Sequence, residues 1–220
     1  MVEVQILGPQ FSNFVRSVQL CCEEKGVPYQ LGMQLDGSEV VFKSDQHLAL
    51  HPFGKVPALK HGERTLIETA TICRYIDSAF NGMSLQPEDL YQRALVDQWS
   101  HIIAGYIDQA LVREYLLEFA FPKGEGGAIR MEKVAEQQPN VINMIRLLEK
   151  QIADNAFICG EQYTIADALL TPMLDYLEGL PHSAVLLSPE SQLQAYLQRM
   201  RQRESGKKVL VSMKALKGRA

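Results

Sequence analysis

The segment that most constrains the fold runs over residues 51–76, with the sequence HPFGKVPALKHGERTLIETATICRYI. Residues 56–59 form a short apolar run that predicts a strand, and the polar residues 60–64 predict a turn because they contain a glycine. Residues 65–67 are β-prone and predict the returning strand of a hairpin. Pro57 cannot donate a hydrogen bond to a neighbouring strand, so the first strand is expected either at a sheet edge or with an irregular start.

A helix is expected directly after the hairpin. Ile72, Cys73 and Ile76 recur at helical spacing and share one face. Thr69 fits the N-cap of this helix, because its hydroxyl can accept a hydrogen bond from an amide of the first turn. A strand backbone beside a helix N-terminus suits a small anionic peptide, since the backbone can pair with an extended chain and the helix end favours a carboxylate. The same residues also fit an ordinary connection between a hairpin and a helix.

The chain before this segment predicts a strand, a helix and a second strand. Residues 2–7 are largely apolar and predict a buried strand. An amphipathic helix is expected over residues 13–25, with Gly26 at its end. Residues 29–33 predict the next strand, and a connection of this length places the two strands parallel. Residues 39–50 have only scattered apolar positions and predict a weak helix or a loop.

The chain after this segment predicts helices only. Residues 81–86 form a linker, and Pro87 is expected at the first position of a long helix that extends to about residue 119. Thr164 and Asp167 match a variant of the capping box before an apolar helix. The other expectations are a candidate bend at Gly105, a loop over residues 123–127, a helix over residues 128–154 with a candidate break at Pro139, and short helices over residues 190–201 and 207–216.

Charge and hydropathy limit the classes of function. The chain has 220 residues and a net charge of -4, so its overall charge gives no case for nucleic-acid binding. Residues 199–220 carry eight Lys and Arg against one acidic residue, which can bind anions or nucleic acid but more often forms a solvated face and a helix end. The sequence shows no signal peptide and no apolar run long enough for a membrane span, so a cytoplasmic protein without membrane contact is expected.

The cysteines give no sign of a metal or redox centre. Cys21, Cys22, Cys73 and Cys159 lie in apolar settings and contain no C-x-x-C pair. A zinc knuckle and a dithiol redox centre are therefore not expected, and no metal is predicted. The thiols are expected to be reduced, as is usual in the cytosol.

Two parts of the sequence resemble the cytosolic glutathione transferases. Residues 51–59 and 68–76, HPFGKVPAL and ETATICRYI, are similar to the family's N-P-x-G-K/Q-V-P-x-L and E-S-x-A-I-x-x-Y-I motifs. Residues 157–167 are similar to the family's L-x-G-x-x-(F/Y)-(S/T)-x-A-D segment, a buried folding element of the second domain, so the resemblance implies a structural rather than a catalytic role for Asp167. The resemblance implies an α/β thioredoxin-like domain over residues 1–80, followed by an all-α domain over residues 87–220. It also implies a cytoplasmic homodimer that serves in detoxification.

The resemblance further implies how glutathione is held. A cis peptide bond after Val56 would expose the Val56 backbone to the cysteinyl part of glutathione. Glu68 and Thr69 would hold the γ-glutamyl end, and Lys43 would reach the glycyl carboxylate. Lys55 is adjacent to the Val56 contact and suits an anionic ligand.

This chain departs from the family pattern at several of these positions. His51 stands where the family usually has asparagine, and Phe42 replaces a polar contact residue of some members. Thr69 stands where serine is usual, and it keeps the hydroxyl.

The loop before the first helix supplies the candidate catalytic group. On the residues alone, Ser12 or Asn13 caps the helix. Residues 11–16, FSNFVR, resemble the S-P-F-x-x-R/K loop of the serine-type transferases, in which Asn13 stands where proline is common. The resemblance implies that Ser12 donates a hydrogen bond to the glutathione sulfur, with Asn13 as the alternative donor. A free thiol with a pKa near 8.5 is only about 3% ionised at pH 7, so the protein must favour the thiolate.

The implied reaction joins glutathione to a small hydrophobic electrophile, whose site would lie between Phe11, Phe14 and Tyr106. A glutathione-dependent isomerase, dehalogenase or peroxidase on the same site is one alternative, and a non-catalytic binding or regulatory protein with the transferase fold is another. The Ser-Ser-x-Cys loop of the isomerases is absent, and the cysteine of the thiol reductases is replaced by Ser12. Because Ser12, Glu68 and Thr69 are all present, the sequence favours a working transferase.

Overall fold

The structure is a computed structural model that describes residues 4–181 and 183–210. The first part of the chain folds as a strand–helix–strand unit, a small two-stranded sheet with a short helix, and a hairpin followed by a helix. Its elements are β1 (Val4–Leu7), α1 (Asn13–Lys25), β2 (Tyr29–Gly32), β3 (Gln34–Leu35), β4 (Ser38–Glu39), α2 (Asp45–Leu50), β5 (Ala58–His61), β6 (Arg64–Ile67) and α3 (Thr69–Ala79). This order confirms the predicted thioredoxin-like arrangement. The predicted strand positions Val2 and Glu3 lie outside the described residues.

The main sheet has the strand order β2-β1-β5-β6. β1 runs parallel to β2 and antiparallel to β5, and β5 runs antiparallel to β6. The predicted parallel pair and the predicted hairpin are therefore confirmed. β5 is an internal strand that begins at Ala58, directly after Pro57. The edge position considered for this strand is wrong, whereas the irregular start is confirmed.

The buried face and the C-terminal end of α1 agree with the sequence prediction. Its inward face buries Val15, Val18, Cys21 and Cys22 completely. Gly26 adopts a left-handed backbone with φ of 66° at the C-cap, a conformation that glycine adopts without steric cost.

The second part of the chain is helical. Its elements are α4 (Leu90–Ile102), a π-helical segment (Ile103–Leu116), α5 (Leu117–Ala120), a 3₁₀ turn (Glu125–Gly127), α6 (Met131–Ile152), α7 (Ile165–Glu178), a second 3₁₀ turn (Ser183–Val185), α8 (Gln192–Gln202) and α9 (Glu204–Val209). α7 is the central helix, because each of its residues from 165 to 175 is buried. It packs against α1 and thereby joins the helical part to the sheet. Within the described residues, no helix is long and apolar enough to cross a membrane.

The long helix begins and continues differently from the prediction. The helix begins at Leu90, so the prediction of Pro87 as its first residue is wrong. Asp89 is the N-cap of α4, and its carboxylate accepts a hydrogen bond from the backbone N–H of Gln92 at 2.9 Å. At Gly105 the helix does not simply bend. Residues 103–116 instead adopt π-helical hydrogen bonding, a wider form that is usually confined to single turns.

Other differences are smaller. Pro139 lies inside α6 without breaking it, and both Pro139 and Ala135 are exposed, so the carbonyl that loses its partner can face water. In the weakly predicted segment, Ser44 caps the short helix α2 by accepting from the backbone N–H of His47. The helix expected over residues 207–216 begins earlier, as α9, and residues 211–216 lie outside the described residues.

Asp167 completes the predicted capping box and has the structural role that the resemblance implies. Its carboxylate is fully buried at the start of α7. It accepts hydrogen bonds from the backbone N–H groups of Ile158 and Thr164 at 2.9 and 2.8 Å. The hydroxyls of Thr164 and Tyr196 donate to it at 2.9 and 3.0 Å. Burial raises the pKa of Asp167, and these donors act in the opposite direction.

Asp167→Ala is expected to lower the free energy of unfolding by about 3 kcal/mol, because two backbone N–H groups and two hydroxyls lose their acceptor in the core. Urea titration followed by circular dichroism measures the change. Asp154→Ala is the matched control, since Asp154 is exposed and its substitution should change stability by less than about 0.5 kcal/mol. Equal and small effects of the two substitutions would contradict the structural role of Asp167.

Candidate active site

The strand register brings three separate segments of the chain to one end of the sheet. Leu7 pairs with Ala58, and Ala58 pairs with Ile67. The chain therefore leaves β1, enters β5 and leaves β6 at the same end. As a result, the loop before α1, the residues around Val56 and the start of α3 are neighbours.

Gly8 lets these segments approach closely. A Cβ at position 8 would clash with Cγ2 of Val15 and lie 3.1 Å from Cβ of Val56. Gly8 also has a φ of 151°, which side chains rarely allow. The peptide bond between Val56 and Pro57 is cis, as the resemblance implies. Val56 therefore lies directly beside the first turn of α1.

Ser12 occupies the N-cap of α1 in an extended conformation, with φ of -72° and ψ of 128°. Its Oγ accepts from the backbone N–H of Val15 at 3.5 Å, and its own N–H donates to the carbonyl of Pro9 at 3.0 Å. Among the described residues, the hydroxyl hydrogen of Ser12 has no acceptor. A free hydroxyl donor at the positive end of a helix can stabilise an anionic sulfur.

Asn13 is directed toward the helical part of the protein. It is 8% exposed, and its Nδ2 donates to Oδ1 of Asp108 at 3.0 Å. The other carboxylate oxygen of Asp108 accepts from Nε of Arg113 at 2.8 Å. The amide of Asn13 thus ties the start of α1 to the π-helical segment.

Lys43 and Lys55 are held together by a histidine that the sequence did not single out. His47 is fully buried, and its Nδ1 accepts from the backbone N–H of Lys43 at 2.9 Å. Its Nε2 therefore carries the hydrogen and donates to the carbonyl of Lys55 at 3.0 Å. The side chain of Lys43 also packs close to Gly54. Lys43 and Lys55 are both exposed, and the same buried histidine braces the two loops that carry them. In the sequence, the only sign of this bracing is a histidine between two lysines.

The start of α3 differs from the prediction at one residue. Glu68 holds the N-cap position with φ of 69° and makes no side-chain capping bond, whereas Thr69 is the first helical residue and is 7% exposed. The prediction of Thr69 as N-cap is therefore wrong. Burial lowers the pKa of the neighbouring His51, and the negative charge of Glu68 acts in the opposite direction. Glu68 itself is exposed at the start of α3.

The three aromatic side chains predicted to line the electrophile site have different neighbours. Phe11 is 49% exposed, and its ring centre lies 6.4 Å from that of Phe121, a loop residue that no motif indicated. The guanidinium of Arg113 lies 5.9 Å from the ring centre of Phe14. Tyr106 is 74% exposed, and within the described part of the chain no ring contact joins it to the other two. An apolar surface therefore flanks Ser12 on the side of the helices.

The described residues contain no group of three or more His, Cys, Asp or Glu side chains that could hold a metal ion. They do offer a hydroxyl donor at a helix N-terminus, two lysines, one exposed carboxylate and an apolar wall. This combination suits a thiol-bearing peptide that carries carboxylates and an amino group.

Two family models match the chain. The model of the glutathione S-transferase N-terminal domain matches residues 8–84, and that of the glutathione S-transferase C-terminal domain matches residues 131–199. Together they cover more than half of the sequence and both parts of the fold.

Known proteins agree with these matches. A probable glutathione S-transferase from Nicotiana tabacum is 33% identical over 168 residues, which cover 76% of this chain and 68% of the relative. The crystal structure of poplar glutathione transferase F1 covers 100% of both chains, with a TM-score of 0.83 and 25% identity. Glutathione S-transferase I from maize, solved in complex with an atrazine glutathione conjugate, covers 94% of this chain and 96% of its own, with a TM-score of 0.81 and 24% identity.

The matched domains, the tobacco relative and the shared fold agree with the geometry of the site, and the chain belongs to the glutathione S-transferase family.

Proposed function

We propose that Ser12 activates glutathione by donating a hydrogen bond to its sulfur, and that the resulting thiolate attacks an electrophilic carbon of a small hydrophobic substrate. The observation that carries this proposal is the free hydroxyl hydrogen of Ser12 at the N-terminus of α1, next to Val56. Asn13 is the less suitable donor, because its amide already binds Asp108. Under this proposal, the loop before α1 is a serine-type catalytic loop.

The magnitudes agree with this role. Lowering the thiol pKa by about two units requires about 2.7 kcal/mol of differential stabilisation. A hydrogen bond to a charged group contributes about 1.5–3 kcal/mol, and a helix N-terminus adds about 0.3–1 kcal/mol. Both contributions act at the position where Ser12 would meet the sulfur.

The remaining contacts to glutathione are assigned to the residues around Val56, the start of α3 and the loop that carries Lys43. The Val56 backbone binds the cysteinyl part, and Glu68 and Thr69 bind the γ-glutamyl end. Lys43 and Lys55 bind the glycyl carboxylate, which their shared bracing by a buried histidine supports.

We assign residues 1–80 to the glutathione-binding domain, residues 81–86 to the linker and residues 87–220 to the helical domain. Phe11, Phe14 and Tyr106 would line the site of the electrophile. The same thiolate could serve an isomerase, dehalogenase or peroxidase, and analysis of the products distinguishes these reactions from conjugation.

The protein is further proposed to act in detoxification as a cytoplasmic homodimer. Several large apolar side chains that a partner could cover are exposed, among them Phe53 at 70%, Leu90 at 79% and Tyr91 at 68%.

Ser12→Ala is expected to raise the pKa of bound glutathione toward that of the free thiol, because the hydroxyl donor is lost. The ultraviolet absorbance of the thiolate against pH measures this directly. Ser191→Ala is the matched control, since Ser191 caps α8 in the same way as Ser12 caps α1. An unchanged titration in Ser12→Ala would remove Ser12 as the donor and make Asn13→Ala the next variant.

His47→Phe is expected to raise the KM for glutathione by about 5- to 10-fold, because the loops that carry Lys43 and Lys55 lose their shared anchor. With γ-glutamylcysteine, which lacks the glycyl carboxylate, wild type and variant should have similar KM values. His101→Phe is the control, since His101 is an exposed histidine of α4. An equal rise in KM with both thiols would contradict the carboxylate role of the two lysines.

The oligomeric state can be measured by sedimentation at micromolar concentration. The proposal predicts twice the chain mass of 24.7 kDa. A monomeric mass at that concentration would contradict the homodimer.

A further inference from the structure

We propose that Tyr176, on α7 of the helical part, is a positioning residue that fixes the orientation of the Ser12 hydroxyl. This inference rests on the proposed function, because it assigns to Tyr176 the task of presenting the donor that activates glutathione.

A single hydrogen bond joins Tyr176 to the loop that carries Ser12. The phenol hydroxyl donates to the backbone carbonyl of Phe11 at 2.6 Å. That carbonyl belongs to the peptide group that links Phe11 to Ser12. On the opposite side of the same peptide group, the N–H of Ser12 donates to the carbonyl of Pro9 at 3.0 Å. Because a peptide group is planar, holding both of its polar atoms sets the plane from which the Ser12 side chain projects.

The position of Tyr176 is itself defined by a buried arginine. The guanidinium of Arg16 lies 4.5 Å from the centre of the Tyr176 ring, and Arg16 is fully buried. Its Nε donates to the carbonyl of Gln10 at 3.2 Å, and its Nη1 lies 3.4 Å from Oδ2 of Asp175. Two adjacent residues of α7 are thus linked to two adjacent carbonyls of the loop. Tyr176 binds the carbonyl of Phe11 directly, and Asp175 is linked to that of Gln10 through Arg16.

The phenol is suited to be a permanent donor. Burial raises the pKa of Tyr176 to about 12, so the hydroxyl keeps its hydrogen throughout the neutral pH range. The acceptor, a backbone carbonyl, does not titrate. The geometry thus keeps the Ser12 peptide in one orientation while glutathione binds and leaves.

The proposed role differs from simple domain packing in what it predicts for the bound thiol. If Tyr176 only packs against α1, loss of its hydroxyl lowers stability and leaves the ionisation of bound glutathione unchanged. If it positions Ser12, loss of the hydroxyl lets the peptide rotate, and the Ser12 donor no longer points steadily at the sulfur.

Tyr176→Phe provides the test, because it removes one oxygen atom and keeps the ring beside Arg16. The primary measurement is the thiolate absorbance of bound glutathione against pH, made without any electrophile so that substrate contacts cannot contribute. We expect the pKa of the bound thiol to rise toward its free value. We also expect kcat to fall by about 3- to 10-fold, with the KM for glutathione within about two-fold of wild type. Tyr29→Phe is the matched control, because it also removes one hydrogen-bonded hydroxyl but lies at the end of β2 away from the site, and it should titrate like wild type.

The double variant decides whether Tyr176 acts through Ser12. In the Ser12→Ala background, Tyr176→Phe should cause no further rise in the thiol pKa, because the group that it positions is already absent. A wild-type titration in Tyr176→Phe would overturn the proposal, and so would an equal added shift in both backgrounds. Failure of the proposed function gives a different result: bound glutathione would titrate at the free thiol value already in the wild-type protein, which would overturn both.

Discussion

The active site depends on how closely α1 and the residue before β5 approach each other at the end of β1. This approach requires a glycine at position 8, since any Cβ there would clash with Val15 and crowd Val56. The pairing of β1 with β5 and of β5 with β6 then brings the start of α3 to the same place. The loop that carries Ser12, the backbone of Val56 and the start of α3 at Glu68 thus lie at one end of the sheet.

The helical part does more than cover the sheet. It contacts the loop that carries Ser12 through Tyr176, and through Asp175 by way of Arg16. On the other side of Ser12, Asp108 of the π-helical segment holds the amide of Asn13. Ser12 therefore lies between two contacts that come from the second part of the chain. These two contacts are the structural basis for the proposed positioning of the Ser12 hydroxyl.

Much of this organisation could be predicted from the sequence. The hairpin and α3, the amphipathic α1 with its glycine stop, and the capping box at Asp167 are local patterns, so nearby residues determine them. The family motifs added the cis bond after Val56 and the order of the two parts. Pro57 illustrates the limit of local information, because its sequence allowed both an edge strand and an irregular start, and only the pairing of β5 on both sides decided between them.

What could not be predicted involves contacts across long sequence separations. His47 shows no motif, and its importance arises because its ring meets the backbones of Lys43 and Lys55. Tyr176 lies 165 residues from the carbonyl that it binds. Local preferences also misplaced two helix starts. Asp89 is the N-cap of α4, so Pro87 lies outside the helix instead of being its first residue, and Glu68 rather than Thr69 is the N-cap of α3. At α4 the Asp89 carboxylate caps the helix, whereas Glu68 precedes α3 without a side-chain capping bond.

The most direct test of the account is the thiol titration of glutathione bound to the unsubstituted protein, followed by thiolate absorbance. The account predicts a midpoint about two units below the value near 8.5 of a free thiol, because a hydroxyl donor and a helix N-terminus both act on the sulfur. A midpoint at the free value, with glutathione bound, would contradict the claim that this site activates the thiol.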